Sequence, residues 1–251
     1  MTLALLRVEL IKVARRRAML LASAGVAFLL VAAVFAILYA LHVHDEVGNP
    51  AVGGGTGMEG TGSALGAVVV ILGGLIGARA GAYDGESRVV RYWAMTGVPR
   101  VALVAVRLPA AVIVTLAALV PAFVLGLICS AALPAESGDA LTAADVGAAL
   151  WATVLWTALW TSLGVGIGSL FNSTGAGIAV TLAISIVGTP ALGALQLLWE
   201  PLAVIPLGNA LTVLSGYDGG YGGVWAAVLV ALLWILVPIG AAATRMRRAE
   251  L

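Results

Sequence analysis

The chain has 251 residues, of which 62% are apolar and 10% are charged. A soluble domain carries about 25% charged residues, so this composition excludes an ordinary water-soluble protein and predicts an all-α, polytopic membrane protein. The formal net charge of +1 gives no reason to expect a nucleic-acid partner, and the single cysteine, Cys129, excludes an intrachain disulfide.

The first segment, residues 2–17, has the pattern of an amphipathic helix. Leu3, Leu6, Leu10 and Val13 recur at spacings of three and four, which places them on one face. The basic residues lie largely off that face: Arg7, Lys12, Arg15 and Arg16. This pattern predicts a helix that lies in the membrane interface with its basic side toward anionic lipids. Simple positive flanking of the first span is the alternative.

Six apolar segments are long enough to cross a hydrocarbon core of about 30 Å as helices. They are residues 18–41, 63–82, 101–132, 146–170, 174–199 and 224–243. The stretch 201–215 before the last span is also apolar, but Pro201 and Pro206 would break a helix there. We expect it to re-enter the membrane or to lie on the outer leaflet.

The connection 42–62 is rich in glycine and predicts a flexible coil, with Gly53, Gly54, Gly55 and Gly57 close together. It begins with a polar cluster, His42, His44, Asp45 and Glu46. These side chains are adjacent in sequence and have no partner cluster elsewhere, so solvated polar residues are favoured over a metal site. We therefore predict no metal site.

The second span carries Gly73, Gly77 and Gly81, one glycine every four residues. This small-residue spacing lets two helix backbones approach closely in a membrane. We expect this face to pack against another helix.

The distribution of charge predicts the orientation, because lysine and arginine accumulate on the cytoplasmic side. With six spans, all 13 basic residues fall on or near the side that holds both termini, while the opposite connections carry acids. Those acids are Asp45, Glu46, Glu59, Glu136, Asp139, Asp145, Glu200 and Asp218. We therefore predict a multi-pass protein of the cytoplasmic (inner) membrane with both termini inside.

The spans carry few groups that could do chemistry. The only lysine is Lys12, so the sequence lacks the Gly-rich, lysine-containing loop that binds nucleotide phosphates. Ion-driven transporters keep ionisable residues at mid-membrane, whereas Arg79 and Arg107 are expected to extend to the inner surface. An enzymatic function is disfavoured, and any transport would draw its energy from a partner.

The fourth span has the most regular pattern of threonine and tryptophan residues. Thr153, Thr157 and Thr161 form a stripe at a spacing of four, and Trp156 and Trp160 form a second stripe beside it. One interpretation is a path for an amphipathic substrate. The other is helix packing, with the threonine hydroxyls bonded to their own backbone. Packing is the more common arrangement.

A charged stretch, 83–107, lies between the second and third spans and contains two acids and four arginines. Asp84 could cap a short helix at 84–97 and Glu86 would lie in its first turn, where the helix dipole favours negative charge. Gly97 and Pro99 would end it. The predicted helix would lie along the cytoplasmic surface and offer Arg88, Val89, Arg91 and Trp93 to a partner.

The chain resembles the permease subunits of type-2 ABC (ATP-binding cassette) exporters over nearly its whole length. Three segments carry the resemblance, at 9–17 (ELIKVARRR), 83–100 (YDGESRVVRYWAMTGVPR) and 201–214 (PLAVIPLGNALTVL). The order of the six spans also fits. Ser87 and Arg88 replace the Gly-Thr or Gly-Val that family members often have, which leaves the subfamily open.

The resemblance implies an architecture and a set of partners. The segment 84–97 would be the coupling helix, docked on a cytoplasmic ABC ATPase through Asp84, Glu86, Arg88, Val89, Arg91 and Trp93. The transporter would contain two ATPase subunits and a second permease, identical or homologous, in a lipid membrane. ATP and Mg would be bound by the ATPase, and this chain would hold no cofactor. ATP binding would move the coupling helices and open a path between the permeases.

The implied function is export of a hydrophobic or amphipathic substrate such as a drug, antibiotic, lipid or peptide. Two other classes of function stay open. A non-transporting scaffold or assembly factor could use the same charged stretch to recruit a different cytoplasmic protein. An intramembrane enzyme is the third class, and the missing catalytic groups disfavour it.

Overall fold

The structure is a computed structural model, and it describes residues 6–11, 17–86, 100–195, 205–216 and 223–248. Residues 6–11 are helical, and no strand occurs within these ranges. The helices that follow are α1 (Arg17–His44), α2 (Gly54–Glu86), α3 (Arg100–Ala132), α4 (Ala143–Phe171), α5 (Thr174–Ala183), α6 (Thr189–Leu195), α7 (Leu207–Ser215) and α8 (Gly223–Arg248). A π-helical turn, Ile184–Gly188, joins α5 to α6.

Six helical stretches of the described chain are long and apolar enough to cross a membrane. They are Arg17–His44, Gly54–Tyr83, Val106–Ala132, Ala143–Phe171, Thr174–Ala194 and Gly223–Arg245. The prediction of an all-helical protein with six candidate spans is confirmed at this level. The fifth stretch runs through the π-helical turn, and the last residues of the predicted fifth span, 196–199, lie outside the described residues.

The chain divides into two compact units, each described on its own. The first unit comprises Met1–Arg15, Val69–Thr115 and Leu155–Leu251. The second unit comprises Arg16–Val68 and Leu116–Val154.

In the second unit, the glycine-rich residues 54–62 are helical, so the prediction of a flexible coil there is wrong. Contacts around the start of α2 explain why. The carbonyl oxygen of Pro134 accepts from the Gly53 N–H at 2.8 Å, and an Asp139 carboxylate oxygen accepts from the Thr56 N–H at 3.0 Å. These contacts satisfy main-chain donors that a helix start leaves unpaired.

Close packing stabilises the same stretch of α2. A side chain added at Gly126 of α3 would collide with the Thr61 side chain, and one added at Gly57 would lie 3.0 Å from Ser130 Oγ. Glycines that lower helix propensity in isolation are here required by neighbours that leave no room for a Cβ. Tertiary contact therefore overrides the local preference for coil.

In the first unit, the fifth candidate span departs from α-helical geometry at Ile184–Gly188. The Thr189 hydroxyl donates to the carbonyl oxygen of Ile184 at 2.9 Å, five residues earlier. A single π-helical turn inside an α-helix is uncommon and often occurs at functional sites. Here it widens the helix where Ile184 lines a cleft described below.

Part of the apolar stretch before the last span forms α7, which begins after Pro206 and ends at Ser215, with Gly216 as its C-cap. Gly216 has φ 82°, the left-handed conformation that favours glycine at the end of a helix. Beside α7, the Trp234 indole of α8 donates to the carbonyl oxygen of Ile205 at 3.0 Å. The predicted helix break before Leu207 is observed, whereas the predicted re-entrant position in the membrane stays a prediction.

Candidate functional site

The charged stretch between the second and third spans is described only at its two flanks. The backbone of α2 continues through Asp84 to Glu86, and α3 begins at Arg100. Asp84 therefore lies inside a helix, and the prediction that it caps the start of a new helix at 84 is wrong. The α2 helix continues to Glu86, four residues beyond the predicted end of the second span at residue 82. The other predicted docking residues, Arg88, Val89, Arg91 and Trp93, lie outside the described residues.

The threonine stripe of α4 is buried. In the second unit, the Thr153 hydroxyl donates to the Ala149 carbonyl oxygen of its own helix at 2.8 Å. In the first unit, Thr157 and Thr161 are fully buried, and the Thr161 hydroxyl donates to Thr115 Oγ1 of α3 at 3.4 Å. These contacts support the packing interpretation, because Thr153 and Thr161 bond to protein atoms.

The glycine stripe of α2 packs against α4 in the first unit, as its spacing predicts. A Cβ added at Gly73 would lie 2.9 Å from Thr161 Oγ1. One added at Gly77 would collide with the Thr161 carbonyl oxygen, and one at Gly81 would lie 2.7 Å from the Ser169 nitrogen. The contact is reciprocal, since a Cβ at Gly164 would lie 2.8 Å from the Gly74 carbonyl oxygen. The two backbones touch, as in small-xxx-small helix pairs.

The two tryptophans of α4 that were predicted to line a path differ in burial. Trp156 is partly exposed, whereas Trp160 is 2% exposed. Within the described part of the chain, the Trp160 indole N–H has no hydrogen-bond acceptor. A buried donor without an acceptor costs about 1–3 kcal/mol. The structure gives no contact that joins Trp156 and Trp160 into a path, so the substrate-path hypothesis stays a hypothesis.

Two described charged residues are buried, both in the first unit. Glu9 in the helical segment 6–11 is 8% exposed, and Arg107 of α3 is 5% exposed. Each makes a polar or electrostatic contact. The side chain of Arg107 is therefore packed inside the unit, while its predicted position near the inner membrane surface stays a prediction. Buried charges persist in proteins where they are paired.

The polar residues after α1 form a compact turn. A nitrogen of the His42 ring, Nδ1, donates to the Asn49 carbonyl oxygen at 3.0 Å, and Asp45 accepts from the Gly48 N–H at 3.0 Å. The Asn49 amide donates to carbonyl oxygens at the end of the helix. Asn49, which follows the cluster, thus caps the C-terminus of α1. Among the described residues, no group of three or more His, Cys, Asp or Glu side chains could hold a metal ion.

Sequence reasoning missed an apolar cleft of ≈ 620 Å³ in the first unit. Its walls come from α4, α5, the π-helical turn and α8, together with Ile205. It is lined by Leu163, Ile167, Leu170, Phe171, Val180, Ile184, Ile205, Val230, Leu233, Trp234, Val237, Pro238 and Ala241. In the sequence, these residues are indistinguishable from lipid-facing positions, because both kinds of position in a membrane span are apolar.

The comparisons with known proteins give no relative. No family model, no curated protein and no solved structure matches the chain.

Proposed function

We propose that this chain is the membrane-spanning permease subunit of an ATP-driven ABC exporter. It would move a hydrophobic or amphipathic substrate out of the cytoplasm with energy from a separate ATPase. The six apolar helices supply the membrane domain that such a subunit requires. Both termini are assigned to the cytoplasm by the distribution of lysine and arginine.

The observation that carries the proposal is the position of the charged stretch. The candidate span Gly54–Tyr83 ends directly before Asp84, and the next candidate span begins at Val106. The acids and arginines of 84–100 therefore connect the ends of two neighbouring spans in sequence, where they can meet a cytoplasmic protein. This placement supports a docking role for the stretch, with Glu86, Arg88, Val89 and Trp93 as contacts.

The composition of the chain supports a separate source of energy. The chain contains one lysine, Lys12, followed by Val13 and not by the Ser or Thr of a phosphate-binding loop. In the proposed complex, two copies of the ATPase hold ATP and Mg. A second permease, identical or homologous, completes the membrane part.

The test begins with a search for an ABC ATPase gene beside the gene of this chain. The two proteins are then co-expressed, and the pair is purified and placed in liposomes. The proposal expects co-purification, vanadate-sensitive ATP hydrolysis and stimulation of that hydrolysis by a hydrophobic substrate. Recovery of the membrane protein with a partner that lacks ATPase activity would favour the scaffold alternative. Hydrolysis that requires this chain but never responds to any transported compound would also contradict export.

A further inference from the structure

The apolar cleft of the first unit has the dimensions of one lipid chain. Lining residues on α8 extend from Val230 to Ala241, and at 1.5 Å per residue this run is about 16 Å long. Half of a hydrocarbon core, the depth of one leaflet, is about 15 Å. The volume of ≈ 620 Å³ lies in the range of small-molecule sites.

The lining excludes a polar occupant. Among the described residues, every side chain that lines the cleft is apolar except the Trp234 indole, and its N–H is already bonded to the Ile205 carbonyl oxygen. At the π-helical turn, the Ile184 carbonyl oxygen already accepts from the Thr189 hydroxyl. A ligand that needed hydrogen bonds would lose its hydration there without replacement. The cleft therefore fits a hydrocarbon chain.

The cleft is open along a side that faces the surroundings of the helix bundle. Leu233 and Val237 line the cleft and are 60% and 62% exposed. Both lie in the candidate span Gly223–Arg245, whose surroundings in a membrane are acyl chains. A lipid chain can thus enter laterally from the bilayer.

A positive charge lies at one end of the cleft. Arg245 follows Ala241 by four residues on α8, so it continues the face that lines the cleft, one turn beyond it. Its side chain is exposed. Phe171, at the end of α4, lines the cleft and is 45% exposed. The cleft thus runs from an apolar interior to a cationic end, which matches an anionic phospholipid with its phosphate beside the guanidinium.

We infer that this cleft binds one acyl chain of an anionic phospholipid, with Arg245 at the headgroup. The inference does not depend on the proposed export function. On the predicted orientation, the lipid would belong to the cytoplasmic leaflet. The bound lipid would fill the space between α4, α5 and α8.

The test places the full chain in nanodiscs of phosphatidylcholine. Two preparations are compared, one with a trace of phosphatidylglycerol and one with a trace of phosphatidylcholine, and in each the trace lipid carries a diazirine on its acyl tail. Photolabelled peptides are mapped by mass spectrometry. Labelling is expected to concentrate on the cleft residues of α4 and α8, and to favour phosphatidylglycerol. Ala241→Phe fills the cleft and should reduce this labelling severalfold, whereas Leu236→Phe, on an exposed position outside the cleft, should not.

The charge is tested separately. Arg245→Gln should reduce the preference for phosphatidylglycerol about fivefold, which corresponds to the value of about 1 kcal/mol for one basic residue at an anionic surface. Arg245→Lys should retain the preference. If Ala241→Phe fails to fold, Ile184→Trp narrows the cleft from another wall.

Four results would overturn the inference. Labelling could be spread evenly over exposed residues of α1 and α8, or be equally reduced by Ala241→Phe and Leu236→Phe. The preference for phosphatidylglycerol could survive Arg245→Gln. Chain-to-chain crosslinks through the cleft in place of lipid labels would assign it to a second copy of the protein.

Discussion

Gly77 of α2 lies directly against the main chain of Thr161 in α4, within the first unit. A Cβ at Gly77 would also lie 3.0 Å from the Val165 nitrogen. Both obstacles are backbone atoms, which cannot rotate away as a flexible side chain could. The glycine stripe is thus a requirement of this helix pair, and it fixes the separation of α2 and α4 in the unit.

Replacing Gly77 with alanine should destabilise the protein. The added methyl group must push the two helices apart, and overpacking of this kind costs about 1–3 kcal/mol. The expected result is a lower midpoint of thermal unfolding in detergent, measured by loss of the monodisperse peak in size-exclusion chromatography. Gly60→Ala on the same helix is the matched control, because a Cβ there would meet nothing within 4 Å. Equal midpoints for the two variants would contradict the close backbone contact.

The sequence predicted this contact but could not predict where α2 begins. The spacing of Gly73, Gly77 and Gly81 is a periodic signal that does not depend on any other segment. By contrast, helix formation at 54–62 depends on Asp139 and Pro134, which lie far away in sequence. Local propensity predicts coil for such a glycine-rich segment, and no local pattern reveals a distant carboxylate.

Prediction of the candidate site from the sequence is limited in the same way, because a local pattern does not reveal distant contacts. The stripes of α4 and the charged stretch are visible in the sequence because polar residues stand out against apolar spans. The apolar cleft leaves no such signal, since Leu163 and Val237 are ordinary residues of hydrophobic helices. The burial of Arg107 was also unpredictable, because an arginine near the end of a span can equally extend to the headgroups.

The indole of Trp160 provides a test of the two interpretations of α4. Trp160→Phe removes the N–H that lacks an acceptor but keeps most of the buried ring. The free energy of unfolding should change by less than about 1 kcal/mol, because the smaller ring buries less apolar area while the penalty of the unpaired N–H is removed. Trp160→Ala should cost about 3–5 kcal/mol because it leaves a large cavity. Thermal midpoints of the two variants in detergent give the comparison.

If the chain is the proposed exporter, transport assays on the same variants separate packing of Trp160 from contact with the substrate. If the role of Trp160 is limited to helix packing, the Trp160→Phe variant should transport the substrate at the normal rate. Trp156→Ala, at a partly exposed position, is the companion variant. Loss of transport in Trp160→Phe at unchanged thermal stability would show that the N–H contacts the substrate.

The start of α2 should depend on Asp139. Asp139→Ala removes the acceptor of the Thr56 N–H, and loss of such an acceptor at a helix N-terminus costs about 1 kcal/mol. We expect a lower thermal midpoint and faster hydrogen exchange at residues 53–58. Glu136→Ala, an exposed acid of the same connection, is the control and should change neither quantity. Unchanged exchange in Asp139→Ala would show that the carboxylate does not hold the helix start.

In the proposed exporter, the charged stretch should couple ATP hydrolysis to transport. Glu86→Lys reverses a charge at the end of α2, and Trp93→Ala removes a large apolar side chain that is predicted to contact the ATPase, so either change should weaken docking. Both variants should insert normally but lose substrate-stimulated hydrolysis and transport. The measurement is ATP hydrolysis and substrate uptake in inside-out vesicles that contain the ATPase, with the amount of inserted protein determined by surface labelling.

Glu136→Lys makes the same charge reversal in the α3–α4 connection, on the predicted outer side, and should leave coupling intact. This control separates loss of docking from a general effect of an added positive charge on insertion. If Glu86→Lys and Trp93→Ala both retain coupled hydrolysis, the ATPase does not dock through this stretch. If Glu136→Lys uncouples while they do not, the predicted orientation is reversed, because the docking surface would then lie on the opposite side of the membrane.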